Sequence, residues 1–287
     1  MISKSNKIFL AGHNGMVGSA ILKKLKNLGY KNIICVSKKK LNLLDQKKVE
    51  SFLKKKKPKV VIIAAARVGG ILANNNNKAN FLYENLTIQT NIIHGSFLAG
   101  VKNLIFLGSS CIYPKKTKQP IKESFFMTGP LENTNDAYAI AKITGVKMCM
   151  EYSKQYKLNY KTLMPANMFG ANDNYDLSSS HFFPALIRKI HNAKIRKKKF
   201  ITLWGNGKPK RELLYVEDFA DACVFFMRKK TKESFVNIGS GVEKTIKGFA
   251  QYIMKRLNVN LKIKYDLTKP NGMQRKKLDL SISKKYG

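Results

Sequence analysis

Acidic residues are scarce in this sequence of 287 residues. It has 17 Asp and Glu against 54 Lys and Arg, so its formal net charge is +37. Such a charge by itself indicates a nucleic-acid or other polyanion partner, and it attracts phosphorylated ligands. However, the lysines are spread over nearly every segment, Asn is abundant as well, and no RNA- or DNA-reading motif is present. The composition therefore favours a generally basic surface without a nucleic-acid partner, and a polyanion partner remains the alternative.

Cysteine is also infrequent, and its spacing argues against two common kinds of site. The four cysteines are Cys35, Cys111, Cys149 and Cys223, and no two of them form a C-x-x-C pair. A metal knuckle or a redox pair is therefore not expected. We predict no metal site and a reduced, cytosolic protein.

Long hydrophobic runs are missing too. Near the N-terminus, Ile8–Ala11 is too short to be the core of a signal peptide. The longest apolar run, Val60–Ala73, is interrupted by Arg67 and two glycines. It falls short of the roughly 20 apolar residues that a membrane-spanning helix needs. The sequence therefore predicts no membrane partner and a cytoplasmic location.

What the sequence does contain begins with a strand, a glycine-rich turn and a helix. Lys7–Ala11 reads as a buried strand that leads into a Gly-x-x-Gly-x-x-Gly turn beginning at Gly12. Apolar residues then recur at helical spacing, and Ile33–Val36 reads as a second strand. Such a turn brings backbone N–H groups and a helix N-terminus against a pyrophosphate. The unit predicts a dinucleotide site, with a tight structural turn as the alternative.

The end of the second predicted strand lacks a carboxylate. NAD-binding folds usually place an acidic residue there, where it contacts the ribose hydroxyls. Here the residues are Ser37–Lys40, and a basic group such as Lys38 suits the 2′-phosphate of NADP. We therefore expect NADPH as the cofactor. The alternative is that these lysines belong to the general lysine excess.

Strands and helices alternate through the first half of the chain. Apolar runs predict strands at 60–66, 104–107 and 160–164, and helical patterns cover 81–98 and 137–156. This alternation is typical of an α/β fold with a doubly wound, mostly parallel sheet of the Rossmann type. Ligands of such sheets bind at the carboxyl ends of the strands.

After residue 167 the pattern becomes irregular, although Ser234–Ile238 could return a strand to the main sheet. We predict that residues 1–166 plus about 213–241 form an NADP-binding domain. Residues 167–212 plus 242–287 then form a smaller, C-terminal substrate-binding lobe.

Tyr138 and Lys142 are four residues apart in a predicted helix, so they share one face of it. A lysine at that position can lower the pKa of the phenol, which makes the tyrosine an acid or base nearer neutral pH. Ser109, at the end of the preceding strand, can hold the reacting oxygen. Together these groups suit proton transfer to a carbonyl that receives a hydride. The alternative is that the tyrosine and lysine are two ordinary helix residues.

These motifs resemble those of the extended short-chain dehydrogenase/reductases. Longer strings narrow the resemblance to members that act on a GDP-linked keto sugar, and it covers the chain from Ile8 to about Asp279. The strings are Ala11–Ala20, Ala64–Ile71, Leu107–Pro114, Tyr138–Lys142, Ser180–His181, Trp204–Gly207 and Arg211–Glu212.

The resemblance implies a two-step reaction. Such an enzyme inverts the third and fifth hexose carbons of GDP-4-keto-6-deoxy-D-mannose and then reduces the fourth with NADPH, which gives GDP-L-fucose. A related NAD(P)-dependent sugar-nucleotide epimerase or dehydratase, which keeps its cofactor bound, is the alternative.

The resemblance also implies roles for five residues. Ser109 and Tyr138 would stabilise the charge that develops on the carbonyl oxygen. In the inversions, Cys111 would act as the base and His181 as the acid. In the reduction, Tyr138 would protonate the oxygen while Lys142 holds the nicotinamide ribose. Without the resemblance, Cys111 would be read as a buried structural thiol and His181 as a capping or surface residue.

Further residues match binding positions of the family. The cofactor positions are Gly12, Asn14, Gly15, Met16, Val17, Gly18, Lys38, Leu107, Gly108, Ser109, Ser110, Lys142, Pro165, Asn167, Met168 and His181. The substrate positions are Lys189, Trp204, Arg211 and Asn271. Trp204 would stack on the guanine or the sugar and Arg211 would pair with the pyrophosphate, and the alternatives are a core aromatic and a surface ion-pair partner. Members of the family pair through two long helices, here 81–98 and 137–156, so the resemblance implies a homodimer.

Three positions depart from the family pattern. Asn14 and Lys38 stand where members usually carry arginines against the 2′-phosphate, so that contact rests on lysines that cannot bind in a bidentate way. Asn271 replaces an aspartate and can accept a hydrogen bond from a ribose, but without charge.

Overall fold

Strands and helices alternate along most of residues 2–287, the part of the chain that the computed structural model describes. The strands are β1 (Ile8–Ala11), β2 (Ile33–Ile34), β3 (Val60–Ile63), β4 (Asn103–Leu107), β5 (Asn159–Pro165), β6 (Asn167–Phe169), β7 (Phe200–Trp204), β8 (Lys210–Tyr215), β9 (Phe235–Ile238), β10 (Glu243–Thr245), β11 (Lys262–Asp266) and β12 (Arg275–Lys276). The α-helices are α1 (Met16–Asn27), α2 (Gln46–Lys56), α3 (Ile71–Asn76), α4 (Lys78–Leu98), α5 (Asp136–Tyr156), α6 (Phe182–Ile195), α7 (Val216–Arg228), α8 (Ile246–Arg256) and α9 (Ser281–Tyr286).

The centre of the molecule is a six-stranded parallel sheet in the order β2-β1-β3-β4-β5-β9. Every residue of β1 and of β3 is buried, as expected for apolar strands that are covered on both faces. Helix α1 packs against α7, and α4 packs between α2 and α5. The predicted doubly wound Rossmann-type fold is confirmed.

The return of a late strand to this sheet is confirmed as well. Strand β9 pairs in parallel with β5, with Thr162 opposite Phe235 and Pro165 opposite Ile238. This pairing brings the chain back beside the main sheet after it has formed β6, β7 and β8 elsewhere.

A second hydrophobic core lies outside the main sheet. Its buried residues come from α6, β7 and α8, and they include Phe183, Ile190, Leu203 and Phe249. Strand β7 pairs in parallel with β11, while β8 pairs with β6, β10 and β12. This region carries the four residues predicted to contact the substrate.

Strand β8 is a feature that the sequence pattern does not predict. Its Glu212 is completely buried, and its two carboxylate oxygens accept the backbone N–H groups of Gly241 and Leu278 at 2.6 and 2.8 Å. A buried acidic residue breaks the apolar alternation by which strands are usually recognised. The predicted strand at Ile33–Val36 is shorter in the structure, since β2 ends at Ile34.

None of the helices in residues 2–287 combines the length and the apolar character required to cross a lipid bilayer.

Candidate active site

Strand β4 ends in a short 3₁₀ turn that presents two of the predicted catalytic residues. The turn covers Ser110–Ile112, and Ser109 precedes it in extended conformation. The backbone N–H of Cys111 donates to Ser109 Oγ at 3.4 Å, and the Cys111 side chain is buried. The serine and the cysteine are therefore held together at the carboxyl end of a central strand, where ligands of parallel sheets bind.

Helix α5 brings Tyr138 and Lys142 to the same place. Lys142 is buried, and its ammonium donates to the Leu107 carbonyl at 2.9 Å, so it ties the helix to the end of β4. The same ammonium lies 5.8 Å from the centroid of the Tyr138 ring and 4.8 Å from that of Phe106. Burial lowers the Lys142 pKa to about 8, against a smaller raising effect from Cys111.

The acidity expected for Tyr138 is not found. Burial raises the pKa of its phenol above the ordinary value, and the neighbouring Cys111 adds to the rise. A hydrogen bond with Ser109 lowers the pKa, but by less than burial raises it. The lowered pKa predicted from the spacing of Tyr138 and Lys142 is therefore wrong for the described structure, because desolvation is the largest influence on the phenol. The phenol is protonated and available as a proton donor.

Cys111 and His181 share one charged neighbour, Lys276 of strand β12. Burial raises the pKa of Cys111, and the positive charge of Lys276 is the largest effect opposing that rise. His181, the residue before α6, is exposed as a whole residue, yet the protein packed around its ring and the charge of Lys276 lower its pKa. The structure thus places the predicted base and acid in the field of a single lysine.

The sequence reasoning did not identify Lys276. It stands opposite Arg211 because β12 pairs with β8. Burial lowers its pKa to about 8, with smaller effects from Cys111, Arg211 and Glu132. No local signal distinguishes this lysine from the others in a basic C-terminal segment, because only the pairing of two distant strands brings it to the site.

The glycine turn after β1 has the geometry of a close-approach site. Gly12 has a φ of +88°, and a Cβ added there would lie 2.5 Å from the Ala65 backbone nitrogen. A Cβ on Gly18 would collide with the Gly12 carbonyl oxygen. Gly15 is the N-cap of α1, so backbone N–H groups at the start of that helix point into the turn. Only glycine fits Gly12 and Gly18, and the turn can receive a diphosphate.

The other predicted cofactor positions follow the carboxyl ends of the same sheet. Asn14 and Lys38 are exposed, after β1 and β2 respectively. A Cβ on Gly108, after β4, would collide with the Met164 side chain. Asn167, after β5, donates to the Glu212 carbonyl at 3.0 Å. These residues border one edge of the sheet, and the strands of the main sheet bring them to it.

Two of the predicted substrate residues form a cation–aromatic pair. The Lys189 ammonium lies 5.1 Å from the centroid of the Trp204 ring and donates to the Thr202 carbonyl at 3.3 Å. Lys269 approaches the same ring at 5.9 Å. About a third of Trp204 is exposed, so a partly accessible aromatic ring lies near two cations.

Arg211 and Asn271 hold the loop before β12. Arg211 donates to the Met273 carbonyl at 2.6 Å and to the Lys210 carbonyl at 2.8 Å, and burial lowers its pKa to about 10. Asn271 Oδ1 accepts the Asn206 backbone N–H at 2.8 Å. The acceptor that the sequence offered to a ribose therefore already accepts one hydrogen bond within the protein, which leaves one lone pair of Oδ1 and the donor Nδ2 for a ligand.

The structure thus gathers Ser109, Tyr138 and Lys142 at the carboxyl end of β4, with Cys111 beside them. A family model for the NAD-dependent epimerase/dehydratase family matches residues 8–239. The chain belongs to this family, within the group of GDP-L-fucose synthases.

Two relatives and one solved structure illustrate the similarity. The chain is 49% identical to the GDP-L-fucose synthase of Sinorhizobium fredii, over 95% of this chain and 86% of that protein. It is 48% identical to GDP-L-fucose synthase 1 of Arabidopsis thaliana, over 98% of this chain and 87% of that protein. The structure of a GDP-mannoheptose C4 reductase from Campylobacter jejuni with NADP bound superposes with a TM-score of 0.90 at 33% identity, covering 100% and 94% of the two chains.

Proposed function

We propose that this protein converts GDP-4-keto-6-deoxy-D-mannose to GDP-L-fucose with NADPH. The observation that carries the proposal is the position of Cys111, two residues beyond Ser109 and in the same charged field as His181. A reductase of a keto sugar needs Ser109, Tyr138 and Lys142 alone. A buried thiol and an imidazole beside them suit the removal and return of protons at the neighbouring carbons.

The inversions use the two groups near Lys276. The Cys111 thiolate removes a proton from a carbon next to the keto group, and the charge moves onto the keto oxygen. Ser109 and Tyr138 donate hydrogen bonds to that oxygen, which stabilises the enolate. His181, in its protonated form, returns a proton to the opposite face of the carbon. Lys276 favours the thiolate, which offsets part of the cost of burying it.

The reduction uses the other group of residues. NADPH supplies the hydride when it is bound. Tyr138 donates its phenolic proton to the oxygen of the carbonyl, and its raised pKa keeps that proton in place until charge develops there. Lys142, hydrogen-bonded to the Leu107 carbonyl, is the residue proposed to hold the nicotinamide ribose and assist the transfer.

The residues of the first half of the sheet fit this cofactor. The turn at Gly12 and Gly18 leaves space that any side chain would fill, and the start of α1 offers N–H donors. Lys38, exposed after β2, is suited to the 2′-phosphate. A titration of NADPH against NADH tests this assignment, and equal affinities would contradict it.

We also propose the division of labour between the two parts of the molecule. Residues 1–166 plus about 213–241 hold the dinucleotide, and residues 167–212 plus 242–287 hold the GDP-sugar. The partly exposed Trp204 ring, with Lys189 and Lys269 near it, suits a base or a sugar, and Arg211 suits a pyrophosphate oxygen.

The decisive experiment supplies the protein with NADPH and GDP-4-keto-6-deoxy-D-mannose. We expect stoichiometric NADPH oxidation and a product that NMR identifies as GDP-L-fucose. No net NADPH consumption would instead support a related epimerase or dehydratase that recycles its cofactor. A different reduced sugar would retain the reductase assignment but change the substrate.

A homodimer through α4 and α5 is proposed as the assembly. These helices pack against each other and expose large apolar side chains, namely Tyr83, Leu98, Ile140 and Tyr156. We expect Ile140→Glu to convert a dimer into a monomer in sedimentation experiments, and a wild-type monomer would contradict the proposal. A cytoplasmic location is proposed because all four cysteines are free.

A further inference from the structure

Gly70 touches the loop that leads into His181. It is the N-cap of α3, and its N–H donates to the Ser179 carbonyl at 2.8 Å. A Cβ added to Gly70 would collide with the Ser180 carbonyl oxygen. Ser179 and Ser180, the two residues immediately before His181, therefore pack so closely against Gly70 that no side chain fits at that position.

The segment that carries Gly70 is itself held by hydrogen bonds from two buried asparagines. Asn85 of α4, which is almost completely buried, accepts the Arg67 N–H and donates to the Arg67 carbonyl, both at 2.9 Å. Asn74 of α3, also buried, donates to the carbonyls of Gly69 and Gly70 at 2.6 and 3.0 Å. Residues 67–70 thus form a rigid support for the loop.

Asp176 holds the loop before His181 together through several hydrogen bonds. The Asp176 carboxylate accepts the backbone N–H groups of Ser178 and Ser179 at 2.9 and 3.1 Å, and its carbonyl accepts the Ser180 N–H at 2.8 Å. We therefore expect a displacement at Ser180 to reach His181, its neighbour in the chain, and not to be absorbed within the loop.

The same helix that fixes the support also contacts the hydride site. Phe81 of α4 packs edge-to-face on Tyr138, with ring centroids 6.3 Å apart, and Gln89 of α4 donates to the Ala141 carbonyl of α5. Helix α4 is therefore anchored on α5, so a methyl group added at Gly70 should displace the loop before His181 and not the support itself.

We propose that Gly70 and Asn74 are positioning residues, which place the His181 ring at the site through the Ser179–Ser180 backbone. This inference rests on the proposed function, because it assigns the two residues to proton exchange and not to hydride transfer. Displacing His181 by about 1 Å would slow exchange strongly, since transfer of a proton depends steeply on geometry. Tyr138 and Lys142, which are held by α5 and β4, would keep their positions.

The test compares Gly70→Ala with the matched control Gly129→Ala. Gly129 is exposed, and an added methyl group there would meet Pro114 at an ordinary 3.4 Å. Two activities are measured: solvent-deuterium incorporation next to the keto group, and the reverse hydride transfer from GDP-L-fucose to NADP⁺, which requires no exchange at carbon. We expect Gly70→Ala to slow deuterium incorporation about 10- to 100-fold while reverse hydride transfer keeps its wild-type rate. Equal losses in both activities, or no loss in either, would overturn the proposal.

A second variant and a readout that needs no substrate complete the test. Asn74→Ala removes both donors to the support without adding bulk, and we expect the same selective loss at smaller size. Histidine NMR then follows the His181 ring, assigned with His181→Asn. We expect its pKa to lie below the ordinary value in the wild type and to rise towards it in Gly70→Ala, as the ring becomes better solvated and moves away from Lys276. An unchanged His181 titration in Gly70→Ala would contradict the inference. A wild type without either activity would refute the proposed function, while the NMR comparison would still decide whether Gly70 positions the ring.

Discussion

The proposed site has two halves, one for hydride transfer and one for proton exchange, and the structure holds their residues in different ways. Ser109, Tyr138 and Lys142 come from one strand and one helix, and Lys142 is bonded directly to the end of that strand. Cys111 lies on the same turn, but His181 and Lys276 arrive from the second region, on a loop end and on a two-residue strand. The main sheet positions the residues of the first half. The positions of the residues in the second half depend also on the contact between the main sheet and the second region. Changes to each half should therefore have separable effects.

The largest effect is expected from Tyr138→Phe. Without the phenolic proton, reduction should fall by about 10²- to 10⁴-fold, the range for loss of a general acid. Deuterium incorporation should continue, since Ser109 still donates to the keto oxygen. NADPH oxidation and NMR of the sugar measure the two activities. Tyr252→Phe, an exposed tyrosine on α8, is the control. Parallel loss of both activities would mean that the halves are not separable.

The converse change removes the acid or the base. Cys111→Ser and His181→Asn should each slow deuterium incorporation by about 10²-fold or more, because serine is a far weaker base and asparagine cannot donate a proton as imidazolium does. Reverse hydride transfer from GDP-L-fucose should remain close to that of the wild type. Cys35→Ser, at a partly exposed cysteine, is the control. Full exchange in both variants would show that other groups move the protons.

Lys276→Met should shift the pH dependence of exchange. The lysine charge lowers the pKa of Cys111 and of His181, so its removal raises both. The thiolate then forms only at higher pH, and the imidazolium persists to higher pH. The whole pH–rate profile should therefore move to higher pH, while the rate near neutral pH changes little because the gain in imidazolium offsets the loss of thiolate. Rates measured across pH, with Lys277→Met as the control, check this. A profile that moves to lower pH would contradict the assignment.

The smallest effect is expected for the preference between NADPH and NADH. Asn14→Arg restores a guanidinium where Asn14 is exposed after β1, and a bidentate contact to the 2′-phosphate should raise the preference for NADPH over NADH by about three- to tenfold. Lys38→Ala should lower that preference. Dissociation constants from fluorescence titration report both changes, and neither should alter deuterium incorporation. Identical affinities in all three proteins would place the 2′-phosphate elsewhere.

The same division explains what could be predicted from the sequence. The main sheet and its glycine turn are encoded locally, by apolar runs such as Val60–Ile63 and by Gly12 and Gly18, where no side chain fits. Strand β8 was not predicted because it contains the buried acidic residue Glu212. The hydrogen-bond partners that allow this burial, Gly241 and Leu278, lie far away in the chain.

The pKa values and the charges at the site could not be predicted from the sequence either. The spacing of Tyr138 and Lys142 suggested a lowered phenol pKa, but the pKa depends on burial, which spacing does not reveal. The pairing of β12 with β8 brings Lys276 to the site, and nothing in the local sequence distinguishes it from the many other lysines. Both properties belong to the tertiary structure, and local patterns do not contain them.

The pairing of β12 with β8 has a consequence for the order of events on the ribosome. A nascent chain that has emerged as far as β9 already possesses all six strands of the main sheet together with Ser109, Tyr138 and Lys142. It does not yet possess Lys276, and Glu212 still awaits the N–H of Leu278. During synthesis, the framework for hydride transfer is therefore available before the charge that tunes proton exchange.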